Sequence, residues 1–193
     1  ELTYRVICGT DSEEIPVSLE GNSDSFRMKL SFLPNGNCVI LPNINGRGYG
    51  FFKITEGESS GLWSVLRSSE DEVLKGSLLI TLYENLRWKT ISPQGFREEM
   101  LAYLPNESNS LLFSMALSYL GDCQRIFPSD SRPLEQVLWK IVTTNPVSQH
   151  RLQAFRLYRS IADSEEAVQR LYTLWQERKA PKDCTLSESD YIG

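Results

Sequence analysis

One histidine and four cysteines limit the chemistry that these 193 residues can carry. His150 is followed by Arg151 and has no second histidine one helical turn away. The His-Glu-x-x-His arrangement, in which two imidazoles hold zinc and a carboxylate activates water, is therefore missing. A Ser–His–Asp or Cys–His relay would need His150 as its base, and no serine stands in a Gly-x-Ser-x-Gly elbow. His150 reads instead as a partly exposed residue near a helix start. Cys8, Cys38, Cys123 and Cys184 form no Cys-x-x-Cys and no zinc-knuckle spacing. They read as small, semi-buried apolar residues. A Cys8–Cys38 disulfide is the alternative that two strand-like segments would permit.

Two further constellations carry polar chemistry. Asn45-Gly46-Arg47-Gly48-Tyr49-Gly50 contains Gly-x-Gly-x-Gly, but it leads into a strand-like run and not a helix N-terminus. A nucleotide phosphate needs the helix start, so the segment reads as a tight turn. Pro42, Asn43, Gly46 and Gly48 would shape that turn, and Arg47 and Tyr49 would make an interdomain contact. Arg151, Arg156 and Arg159 share a helical segment with His150, opposite Leu152 and Phe155. That face is either solvated or a receiver of carboxylates, because guanidinium matches a carboxylate with two parallel bonds. Trp63, Trp88, Trp139 and Trp175 are too widely spaced for a base-stacking platform and read as packing residues within helices.

Charge and hydropathy exclude whole classes. The net charge of -5 leaves no basic footprint for nucleic acid. No apolar run approaches the ~20 residues that span a bilayer. With 40% hydrophobic and 23% charged residues the chain can build a core without a metal staple.

The elements that must position these residues fall into two regions. Residues 1–55 alternate, with Ile15, Val17 and Leu19 on one face and Phe26, Met28, Leu30 and Phe32 on another. Period 2 marks half-buried antiparallel strands. Asn35-Gly36 is a hairpin turn before Cys38–Leu41. With a last strand over 49–54, about five strands make a small β-sandwich. The run 55–61 reads as a linker. From 56 to 193 the period becomes helical. Ser69 with Glu72 caps a helix near 70–88, and Ser92-Pro93 opens one that Pro105 stops. Helices follow near 108–120, 132–143, 147–161 and 164–178, the last capped by Asp163 with Glu166. Short connections predict antiparallel neighbours in an irregular superhelix of the HEAT or armadillo kind. Ser187, with Asp190 three residues on, starts one more helix just before Gly193. This predicts that the sequence is an excerpt of a longer protein, since one turn cannot repay its nucleation.

The segment Ile40 to Phe52, with its Pro-Asn, glycine turn and Gly-Tyr, resembles the region that closes the small β-sandwich of the aminopeptidase N family of zinc metallopeptidases. Trp63 with Leu66, the helix around Leu78–Asn85, Ile91–Phe96 and the stretch from Leu171 through Pro181 to Ser187 are similar to bacterial members, in order. The resemblance implies an α+β multidomain protein: a β-sandwich over 1–55 and part of a helical domain over 56–193. The implied function is a non-catalytic C-terminal part of an enzyme that removes N-terminal residues from peptides. Its partners would be the upstream catalytic domain and the peptide substrate, with zinc held only in that upstream domain. The implied compartment is the bacterial cytoplasm or periplasm. The rival reading, from the helical array alone, is a non-enzymatic protein-interaction scaffold.

Overall fold

A computed structural model describes residues 2–18, 29–31, 38–44, 46–48, 50–181, 184 and 186–192. The chain is α+β: a small antiparallel sheet followed by helices. Its contacts group it into two compact units, Glu1–Ser92 and Pro93–Gly193. The change from strand to helix near residue 55 is thus not the boundary between the units.

The first unit holds β1 (Leu2–Cys8), β2 (Asp11–Val17) and β3 (Cys38–Leu41) in the order β2-β1-β3. Both pairings are antiparallel. Val6, Cys8, Val17 and Leu41 are buried. The β1–β3 register sets Cys8 opposite Cys38, with Cα atoms 4.3 Å apart and the two sulfurs bonded. Here the apolar reading of the cysteines fails for two of the four. Cys123 and Cys184 are buried free thiols. Of the strand expected over Phe26–Phe32 only residues 29–31 are described, and they are in no strand; Met28, Phe32 and the turn at Asn35-Gly36 lie outside the described residues. A single three-stranded sheet, and not two sheets, is what the described residues form.

Two local expectations are overturned. Phe51–Ile54 pairs with no strand. The side chain of Asn85 takes its polar groups instead: Oδ1 accepts the Ile54 amide at 2.9 Å and Nδ2 donates to the Phe52 carbonyl at 2.7 Å. Buried backbone groups must find partners, and a side-chain carboxamide supplies one donor and one acceptor as a strand would. The second correction concerns 55–61. Its Gly, Ser and Glu content suggests a linker, yet α1 runs over Glu56–Ser68. Thr55 and Glu58 close a reciprocal capping box there. Ser59, Leu62, Trp63 and Leu66 form the buried stripe. Gly61 is a packing residue: a Cβ there would lie 2.6 Å from Val39 Cγ2 of β3.

Next comes α2 (Glu72–Arg87), capped by Asp71 and not Ser69. Asp71 Oδ1 accepts the amides of Val73 and Leu74, both at 3.0 Å. Trp88 ends this helix exposed, at 68% of its full accessibility, beside Phe51 at 5.7 Å. It is therefore not the packing residue its type suggests, whereas Trp63 is buried.

In the second unit α3 (Pro93–Tyr103) opens on its proline and runs into a 3-10 turn at Leu104–Asn106. It is followed by α4 (Ser110–Ile126), α5 (Arg132–Thr144), α6 (Ser148–Ile161) and α7 (Glu165–Glu177). A five-residue α8 covers Glu188–Ile192. The central helix is α6, which packs on α4 as well as on its sequence neighbour α5. Leu112, Phe113, Ala116, Leu117, Leu120 and Cys123 are the buried stripe of α4, at helical spacing. Ala154, Phe155 and Tyr158 face inward from α6. Ser164, and not Asp163, caps α7 by accepting the Ala167 amide at 3.1 Å. The buried Glu135 of α5 holds that same corner. It accepts the Asp163 amide at 2.8 Å, the Ser164 amide at 3.1 Å and the Ser131 hydroxyl at 2.9 Å. Burial alone would raise its carboxyl; the bonds from Ser164, Asp163 and Ser131 outweigh that and hold it low. Only Ala167 of α7 is buried, and Trp175 is half exposed.

Candidate functional site

The glycine turn is a locked structural element. Asn43 adopts a left-handed backbone, φ 51°, a conformation that asparagine tolerates better than most residues. Its side chain spans the loop: Oδ1 accepts the Gly48 amide at 2.7 Å and Nδ2 donates to the Gly48 carbonyl at 3.1 Å. Its own carbonyl accepts the Gly46 amide at 3.0 Å and the Ser77 hydroxyl of α2 at 2.9 Å. Pro42 is buried and Arg47 is exposed. Tyr49 lies outside the described residues. The turn is therefore tied to its own unit by Asn43 and Ser77.

The three arginines of α6 do not form an open carboxylate receiver. Arg156 pairs with Asp190 of α8, Nε to Oδ1 at 2.9 Å and Nη2 to Oδ2 at 3.3 Å. Arg159 donates to the Asp190 backbone carbonyl at 2.7 Å. Arg151 donates to the Asn145 carbonyl at 3.0 Å. The Asp190 side chain is 3% exposed, and Arg156 is 51% exposed. The bond from Arg156 holds the Asp190 carboxyl far below the usual carboxylate range; burial opposes this, and the Ser187 hydroxyl and amide add to it. A carboxylate does bind here, but it belongs to the protein. Sequence spacing could not show this, because Asp190 lies 34 residues beyond Arg156.

His150 is also placed differently from its expected position. It is fully buried, stacked on Phe113 with ring centroids 4.0 Å apart and planes 6° from parallel. Its Nε2 lies 3.0 Å from Ser110 Oγ, a pair the sequence reading missed. This Ser–His pair lacks the rest of a relay. Nδ1 is buried with no hydrogen-bond partner among the described residues, so none of their acids orients the ring. Glu107, close by and buried, accepts the Tyr103 hydroxyl and, at 2.7 Å, the Asn109 amide. Burial, reinforced by the bond to Glu107, pushes the Tyr103 phenol far up.

A groove of about 600 Å³ runs beside α4 and α6, lined in part by Leu117, Asp122, Gln124, Ser129, Leu157 and Asp163. Several of its polar side chains are already hydrogen-bonded within the protein. Gln124 donates to the Ser129 carbonyl at 2.8 Å, and Asp122 pairs with Arg125 at 2.5 Å.

No family model, no curated protein and no solved structure matches this chain. Among the described residues, the donors do not fit a zinc ion. The single imidazole is buried against Ser110, and Cys8 and Cys38 are bonded to each other. The described residues contain no group of three His, Cys, Asp or Glu side chains able to hold a metal. Among them, no helix is long and apolar enough to cross a membrane.

Proposed function

We propose that this chain is a non-catalytic C-terminal part of a zinc-dependent aminopeptidase, which removes N-terminal residues from peptides. It packs on the catalytic domain and helps wall the peptide cavity as a small antiparallel-sheet spacer followed by part of a HEAT-like superhelix. The observation that carries this reading is the placement of Ile40–Phe52. The segment leaves β3, makes an Asn43-locked turn and runs directly to the capping box of α1. That is the order of strand, glycine turn and helical domain in the family it resembles. Zinc enters this reading only through the upstream domain.

The test has two arms. The chain is assayed on aminoacyl-nitroanilides with and without a chelator, and no turnover is expected. Chelator-sensitive turnover by these residues alone overturns the reading. The coding sequence upstream of Glu1 is then read, and a His-Glu-x-x-His motif is expected. Its absence replaces the aminopeptidase reading by the second one, a protein-interaction scaffold. The feature favouring that second reading is the half-exposed face of α7, where the tilted rings of Tyr172 and Trp175 lie 5.9 Å apart, one turn on from exposed Val168.

A further inference from the structure

We propose that the contact between the first turns of α4 and α6 is an acid-released latch, with His150 as its trigger. His150 is the one histidine of the chain and is fully buried. It lies flat on Phe113 of α4, and its Nε2 meets Ser110 Oγ at 3.0 Å. A neutral imidazole suits this site, with one nitrogen bonded to Ser110 and a lone pair left over. An imidazolium does not, because both nitrogens become donors and the buried Nδ1 has no acceptor. The π face of Phe113 attracts a cation weakly and supplies no acceptor for that second N–H.

The charged neighbours do not rescue the cation. Glu107, from the segment before α4, favours protonation, but its oxygens already accept the Tyr103 hydroxyl and the Asn109 amide. Arg151, next on α6, donates to the Asn145 carbonyl and adds a like charge. His150 also stands in the first turn of α6, where the positive end of the helix dipole disfavours a cation. Burial therefore lowers the imidazole from its ordinary 6.5, with Glu107 countering part of the effect.

The direction of the switch follows. In the unfolded chain the imidazole keeps its ordinary value, so below pH 6.5 it takes up a proton that the native state refuses. Stability is complete above that pH and falls as the pH drops, by up to tenfold in the folding constant per unit. Opening the α4–α6 seam would relieve the ring locally before global unfolding.

The decisive measurement is an NMR titration of the intact chain with labelled histidine, which gives one imidazole signal, together with amide exchange of α4 and α6. The expected result is a ring that stays neutral in the native state below pH 6.5 and charges only as protection in α4 and α6 is lost. A native ring that titrates at 6.5 or above, with that protection unchanged, overturns the proposal. Urea midpoints between pH 7 and 5 give a second readout. His150→Phe, which keeps an aromatic ring against Phe113, should flatten the dependence seen in the parent. Retention of the parental dependence by a folded His150→Phe variant also overturns the proposal; where that variant fails to fold, the titration of the parent decides.

Discussion

The side-chain oxygen of Asn85, in the last turn of α2, accepts the backbone amide of Ile54 at 2.9 Å. The Asn85 side chain is fully buried and completes its bonding through Nδ2 to the Phe52 and Thr81 carbonyls and through Oδ1 from the Thr90 hydroxyl at 2.6 Å. One carboxamide thus fastens an extended segment, its own helix and the following turn.

Replacing it should be costly. Asn85→Ala leaves the Ile54 amide and the Phe52 carbonyl without these partners, and each unsatisfied buried group costs about 1–3 kcal/mol. A loss of about 2–5 kcal/mol in urea unfolding is expected. A loss below 1 kcal/mol would mean that water replaces the carboxamide.

The Cys8–Cys38 bond predicts a thiol count. Of four cysteines, two should react with a thiol reagent in denaturant without reductant, and all four after reduction. The bond closes a loop over a separation of 30 residues, so the double variant Cys8→Ala/Cys38→Ala should lose about 3–4 kcal/mol. Four reactive thiols before reduction would contradict the pairing.

Gly61 and Val39 should show coupling. Gly61→Ala drives a methyl group into the Val39 side chain and should destabilise by about 1–3 kcal/mol. Adding Val39→Ala should recover part of that loss. Gly57, in the same helix, has open space at its Cβ position. Gly57→Ala should stabilise by up to about 1 kcal/mol, which controls for helix propensity. Additive effects of Gly61→Ala and Val39→Ala would show that the two do not meet.

Docking of α8 should depend on the Asp190 charge. The native carboxyl is held below its ordinary 3.8, so its contribution is complete above that pH and fades as acid protonates it. Asp190→Asn should speed amide exchange across α8 at neutral pH while α4 and α5 keep their protection. Unchanged exchange in α8 would show that the guanidinium contacts do not hold the segment.

Much of the helical arrangement was legible in the residues. The spans of α2, α3 and α5 through α7 follow from local patterning, because a 3.6-residue stripe and a proline or capping residue act within one or two turns, whereas α4 runs on to Ile126, past its expected end near 120. Capping residues were misplaced by one or two positions: Asp71 for Ser69 and Ser164 for Asp163. Here an acceptor on either neighbouring residue could serve the same amides. The loop-like composition of 55–61 concealed α1, because its glycine is required by the proximity of β3 and not by a turn.

What the sequence determined by itself is the α+β class, the shift from period 2 to period 3.6 and the absence of paired histidines. Each is a property of residue types and short spacing. Only the tertiary structure decided that Cys8 meets Cys38, that Asn85 stands in for a strand, that Asp190 occupies Arg156 and that His150 is buried against Ser110 and Phe113. These pairs lie about 30 to 40 residues apart in the chain. Their meeting is set by strand register and by which helix faces pack together, and no local pattern encodes either.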